Sequence, residues 1–261
     1  MEYRPVMALF ESSGWRAEDY EAVANQTNVV EHPPQGYICH FAGPLEKGWI
    51  TGSVWTEREK SDTWLAGRLG DAIATSAHEM KRREGHIGDM TWAIAPVFRM
   101  TVGKDAEQYV GRDIGRAGGA VMYSFALPLP AASVYSKALD DLKFDENPPE
   151  GLVLRNSGPF HEFWRSFDVW NDEEAAATHY GRLQDRLAAL NGDADVLRQQ
   201  RVTRVPLHTL LVPRQAQNLL KGYRAEKPRW EDPSRERGST DLRFDQDTID
   251  DLALLESLIQ R

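Results

Sequence analysis

PPQGYICHFAGPLEKGWITGSVWTE, residues 33–57, returns 115 residues later as PPEGLVLRNSGPFHEFWRSFDVWND, residues 148–172, without a gap. Eight of the 25 pairs are identical: Pro33/Pro148, Pro34/Pro149, Gly36/Gly151, Gly43/Gly158, Pro44/Pro159, Trp49/Trp164, Val54/Val169 and Trp55/Trp170. Average residue usage gives roughly one or two such matches. The same shift carries Val6-Met7 onto Val121-Met122 and Tyr20 onto Tyr135, and Gly67-Arg68-Leu69 meets Gly181-Arg182-Leu183 after slipping by one. IAPVFRMTV, ending at Val102, matches RVPLHTLLV, ending at Val212, with Pro96 on Pro206 and the shift shortened to 110. The chain is read as a tandem duplication of one domain-sized unit.

Each copy reads as strand, helix, strand, strand, helix, strand. First strands are expected at Val6 to Phe10 and Val121 to Ala126, and first helices near Arg16 and Ala131. Pro-Pro then breaks the chain before an extended run, because proline removes a ladder donor and biases its predecessor to extended geometry. Gly43-Pro44 and Gly158-Pro159 are expected to open turns. Trp49 to Trp55 and Trp164 to Trp170, rich in aromatic, β-branched and hydroxyl residues, are the third strands. Thr56 with Glu59 and Asn171 with Glu174 form capping-box patterns. Ala176, Tyr180, Leu183, Leu187 and Leu190 make one apolar stripe, and Leu65, Leu69, Ile73 and Ser76 follow a similar course.

A sheet with helices on one face leaves the other bare, and that face needs a partner. Two copies in one chain supply it, sheet against sheet. The expected organisation is an N-terminal repeat over 1–103, a glycine-bearing linker over 104–119, a second repeat over 120–213 and a charged, proline-bearing arm over 214–261, ending in a helix from Gln246 to Ile259.

The 261 residues carry a net charge of −9, with 41% apolar and 27% charged positions. That describes a globular chain without the basic footprint that nucleic acid or anionic lipid needs. Cys39 is the sole cysteine, which rules out an intramolecular disulfide and a cysteine-rich metal site. No export signal or membrane span is legible, so a cytoplasmic location is expected. HExxH, CxxC, a Walker loop, a GxGxxG after a strand and GxSxG are all missing, which leaves metal hydrolysis, nucleotide chemistry and a serine elbow without support.

Pro-x-Gly before a strand, the Gly-Pro pair, and Ser/Asp-Val-Trp before a helix, most clearly in FWRSFDVWNDEEA, resemble the dimeric α+β barrel superfamily and its antibiotic-biosynthesis-monooxygenase-like branch. The resemblance covers residues 3 to 102 and 120 to 212. It implies an α+β fold of two ferredoxin-like βαββαβ repeats closed into an intramolecular barrel, with a C-terminal helical tail. It also implies a ligand cavity between each sheet and its helices, and cofactor-independent oxygenation of aromatic or polyketide-like substrates. The family's strand-two histidine matches His40 but meets Arg155 in the second copy. Its strand-three acid matches Asp168 but meets Ser53 in the first, and its last-strand histidine matches His208 but meets Phe98.

Alternation on a strand puts Trp164, Ser166, Asp168 and Trp170 on one face, as it does Trp49, Thr51, Ser53 and Trp55. An acid between tryptophans has its pKa raised toward a general-base range unless a partner such as Arg182 holds it. Asp168, His208 and His40 are therefore the candidate catalytic residues. Trp164, Trp170, Trp49 and Trp55 could sandwich a planar substrate, with Arg155, Asn156 and Tyr180 as polar contacts; each could equally serve the core. The expected function is a cofactor-independent oxygenase in which a base deprotonates an aromatic small molecule that then reacts with dioxygen, with no metal, nucleic acid or membrane. The alternatives are a haem- or flavin-using oxidoreductase, with His208, His78 or His86 as axial ligand, and a non-catalytic binding protein. A monomer with an internal pseudo-dimer and a homodimer both remain open.

Overall fold

The computed structural model describes residues 5–29, 31–86, 88–104, 106, 120–161, 163–191, 201–212 and 240–243. The first copy consists of β1 (Val6–Ser13), α1 (Ala17–Thr27), β2 (Tyr37–Leu45), β3 (Gly48–Trp55), α2 (Arg58–Trp64), a π-turn (Leu65–Leu69), α3 (Gly70–Glu84), β4 (Met90–Pro96) and β5 (Arg99–Val102). The second consists of β6 (Val121–Pro128), α4 (Ala132–Asp141), β7 (Leu152–Phe160), β8 (Phe163–Trp170), α5 (Glu173–Asn191), β9 (Arg201–Pro206) and β10 (Thr209–Leu211). A last strand, β11 (Thr240–Arg243), comes from the C-terminal arm. The linker apart from residues 104 and 106, and the helix expected from Gln246 to Ile259, lie outside the described residues.

One sheet runs β10-β2-β3-β1-β4-β11 and the other β5-β7-β8-β6-β9, with every pairing antiparallel. The last strand of each copy is thus two strands. Pro96 and Pro206 end β4 and β9, since a proline offers no N–H to continue the ladder. The chain then crosses, so that β5 joins β7 and β10 joins β2, each on the opposite sheet's edge. The copies exchange their ends.

The two sheets bury their inner faces on each other. Met7, Ile38, Phe41, Ile50 and Val54 meet Met122, Val153, Phe167, Val169 and Val205 in one apolar cluster, and the rings of Phe41 and Phe167 lie 5.5 Å apart across it. The helices cover the outer faces, where Trp49 and Trp55 join one core and Trp164 and Trp170 another. The alternation read along β3 and β8 is the observed one.

Two local readings are corrected. Gly43 and Gly158 lie within β2 and β7, not at turns. A Cβ at Gly43 would stand 2.4 Å from the Pro206 carbonyl oxygen, and one at Gly158 2.1 Å from that of Pro96, so these glycines make room for the crossing chain. Thr56 and Asn171 do not cap helices: each donates its backbone N–H to a turn glycine, Gly36 at 2.8 Å and Gly151 at 2.9 Å. The helices start later, at Arg58 and Glu173, and the Asp172 carboxylate accepts from the Glu174 N–H at 2.8 Å. Gly36 and Gly151 hold φ of +83° and +81°, conformations that side chains disfavour.

The one-residue slip in the repeat also has a structural form. Between Trp55 and Gly67 the first copy carries one residue more than the second between Trp170 and Gly181. It is absorbed as the π-turn Leu65–Leu69, with Gly67 outside helical geometry at φ −120° and ψ −123°; α5 has no such break. A π-turn is what one extra residue makes of a helix, and such turns are frequent at functional sites.

Candidate functional site

In the first half a cavity of about 60 Å³ lies between sheet and helices, bounded by Trp15, Tyr20, His40, Ser53, Trp64 and Trp92 among others. A broader cleft of about 670 Å³ adjoins it through Trp15, with Trp49, Arg16, Lys47 and His208 on its walls. Trp64 and Leu69, at the two ends of the helix break, line the inner cavity.

His40 is carried by β2 just after a bulge between Tyr37 and Cys39. Its Nε2 stands 3.0 Å from the Tyr20 hydroxyl on α1, with the two rings parallel at 6.0 Å between centroids. His40 lines the cavity, and burial lowers its pKa to about 4, which keeps the imidazole neutral at neutral pH. Tyr20 stacks on Trp49 at 5.1 Å, and His208 stands edge-on to both, at 5.5 Å from Tyr20 and 5.1 Å from Trp49. His208 Nε2 also lies 3.4 Å from Glu21 Oε1. Trp55 Nε1 donates to Ser53 Oγ at 2.9 Å.

His208 belongs by sequence to the second copy, yet the crossing that leads into β10 delivers it to the first half, against Tyr20 and Trp49. Phe98 makes the reverse journey to Trp164, 5.4 Å away. Asp168 and His208, both candidate bases in the sequence, therefore occupy different halves.

The second half repeats the arrangement with other chemistry. Arg155 stands where His40 does and Tyr135 where Tyr20 does, with Arg155 Nη2 donating to the Tyr135 hydroxyl at 2.7 Å. Asp168 and Arg155 are cross-strand neighbours, both 0% exposed, with Arg155 Nε 3.5 Å from Asp168 Oδ1. Ser166 donates to the same oxygen at 2.6 Å, and the Tyr180 hydroxyl donates to Oδ2 at 3.0 Å. Burial raises the Asp168 pKa, and Arg155, Ser166 and Tyr180 oppose it. The guanidinium also lies 5.0 Å from both the Tyr135 and Phe144 rings. Arg155, and not Arg182, is the arginine that holds Asp168.

Asn156 faces away from this cluster, into the layer between the sheets, and neither of its amide atoms has a hydrogen-bond partner among the described residues. His86 lines the outer cleft and His78 lies on α3; neither borders the inner cavity. Tyr20, Ser53, Trp15, Trp64 and Trp92 were not singled out as site residues from the sequence. The retention of tyrosine at Tyr20 and Tyr135 was the available signal. Among the described residues, no three histidine, cysteine, aspartate or glutamate side chains are grouped to hold a metal, and no helix is long and apolar enough to cross a membrane.

No protein-family model and no curated protein matches the sequence. Solved structures do. A "putative monooxygenase" from Lactobacillus acidophilus NCFM superposes with a TM-score of 0.59 at 13% identity, over 80% of this chain and 96% of its own. Another so described, from Fusobacterium nucleatum subsp. nucleatum, superposes with a TM-score of 0.56 at 12% identity, over 87% of this chain and 98% of its own. At such identities the likeness is one of fold. With its exchanged end strands and its two sheets closed face to face, the chain is a dimeric α+β barrel built from two tandem copies in a single polypeptide.

Proposed function

We propose that the first half is the active site of a cofactor-independent oxygenase acting on an aromatic small molecule, with His40 as base. The observation that carries this reading is a neutral imidazole, in a hydrogen bond with the Tyr20 hydroxyl, in a cavity walled by aromatic rings. The two solved monooxygenase-type structures agree with it as to fold. Asp168, the first candidate from the sequence, is held in a closed ion pair and is a poorer base for a ligand to reach.

Pockets that bury a small ligand run to about 300–1,000 Å³. The inner cavity alone is smaller, so the substrate rests in the outer cleft against Trp15 and Trp49 and its reacting edge passes Tyr20. With its Nε2–H donated to the Tyr20 oxygen, His40 takes a proton on Nδ1 from an activated methylene. The anion so formed raises the basicity of the imidazole beside it, which holds the proton. The electron-rich anion reduces dioxygen to a bound peroxide, and loss of water leaves a carbonyl, so that CH2 and O2 become C=O and H2O. One oxygen atom stays on the substrate. Tyr20 orients the imidazole, and His208, supported by Glu21, borders the cleft where the substrate's polar groups lie. No step is routed through a porphyrin or flavin.

The test is oxygen consumption with anthrone- and quinol-type compounds. Wild-type protein should turn over without added metal or cofactor, and His40→Gln should lose about 100- to 10,000-fold in kcat, the usual worth of a positioned base. Equal rates for the two proteins would remove His40 from the mechanism.

A further inference from the structure

In the second half the ring of Tyr180 packs against Phe125 and its hydroxyl meets Asp168, the residues that answer to Phe10 and Ser53 of the first half's cavity. The Tyr180 hydroxyl donates to Asp168 Oδ2 at 3.0 Å and accepts from Trp170 Nε1 at 3.0 Å. One donor and one acceptor bond meet the hydrogen-bonding needs of a phenol. The ring is caged as well: Phe125 lies 4.8 Å away between centroids, Tyr123 5.2 Å, His179 5.5 Å and Trp170 5.8 Å.

Tyr180 is only half-buried, whereas the groups beneath it, Asp168, Ser166, Arg155 and Trp170, are fully enclosed. It stands as a stopper between solvent and a polar floor. Arg155 Nη1, Ser157 Oγ and His179 Nε2 behind it have no hydrogen-bond partner among the described residues. The first copy lacks both parts of the arrangement, with Leu65 at the position of Tyr180 and Ser53 at that of Asp168.

We propose that the second half is a binding site for a phenol, occupied in this protein by its own Tyr180. Removing that side chain vacates a place shaped for a para-substituted phenol, with Asp168 as hydrogen-bond acceptor, Trp170 as donor and the surrounding rings as walls. The site is independent of the chemistry assigned to the first half.

The experiment compares full-length wild type with Tyr180→Ala by titration calorimetry, using p-cresol, toluene and 4-methylanisole. Any binding in the first half is common to both proteins. The variant should gain one further p-cresol site. That site should prefer p-cresol to toluene and to 4-methylanisole by about tenfold or more, because only p-cresol can donate a hydrogen bond to the carboxylate. If the variant is unfolded alone, p-cresol but not toluene at equal concentration should restore the wild-type circular-dichroism spectrum. A gained site with equal affinity for p-cresol and toluene would make the space a mere apolar hole. That result, a folded variant with no gain in stoichiometry, or an unfolded variant that p-cresol does not rescue would each overturn the proposal.

Discussion

The Tyr20 hydroxyl lies 3.0 Å from His40 Nε2, and in the same place of the second copy Arg155 reaches the Tyr135 hydroxyl at 2.7 Å. One tyrosine, kept in both copies, orients a neutral titratable ring in one half and a permanent cation in the other. If Tyr20 positions His40, Tyr20→Phe should lower kcat by about tenfold, the worth of one hydrogen bond, with KM little changed. A steady-state series with a pH profile checks this, since a purely structural role would leave the profile unmoved.

Stability should depend on pH through the buried histidines. His40 has its pKa lowered to about 4 and His179, by burial and by Arg155 and Arg182, to about 3. Both folded values lie below the unfolded value of about 6.5, so the unfolded chain takes up protons first as pH falls. The contribution is complete above about pH 6.5 and is lost between there and pH 4 to 3. Urea unfolding across pH 3–8 should show this decline, and His40→Gln with His179→Gln should flatten it.

Truncating one partner of the buried ion pair should cost more than replacing both. Asp168→Ala leaves the Arg155 charge enclosed and should destabilise by about 3–5 kcal/mol, whereas Asp168→Leu with Arg155→Met should recover most of the loss. Chemical denaturation of the single and double variants decides it. Equal losses would mean that the pair is not an isolated charge couple.

The glycines at the crossing are open to a direct comparison. Gly43→Ala and Gly158→Ala push a methyl group into the Pro206 and Pro96 carbonyls and should each cost about 1–3 kcal/mol. Gly181→Ala in α5 meets nothing within 4 Å and should gain up to about 1 kcal/mol. Melting temperatures of the three variants provide the check.

Deleting Ala66 should convert the π-turn to continuous helix, as in α5, and rotate Trp64 relative to Leu69 across the inner cavity. The expected outcome is a folded protein with substrate binding weakened about tenfold or more. Circular dichroism with ligand titration separates loss of the pocket from loss of the fold.

Much of this architecture is legible in the sequence. The repeat from Pro33 and Pro148 marked the duplication, and alternation along Trp49–Trp55 and Trp164–Trp170 assigned the faces correctly, because a strand's period of two is a local property. The capping patterns at Thr56 and Asn171 misled, since both residues turn their backbone N–H to Gly36 and Gly151 instead. The Gly-Pro pairs misled as well: what passes over Gly43 is Pro206, distant in sequence.

The duplication, the strand and helix order of each copy and the aromatic faces that needed cover were written in the sequence, because they follow from neighbours a few residues apart. Which half His208 serves, which cation holds Asp168 and which cavity stays open were decided only in three dimensions. Pro96 and Pro206 can stop a ladder, but where the chain goes next depends on a free edge in the other sheet; and a carboxylate's partner is whatever cation the folded register sets beside it.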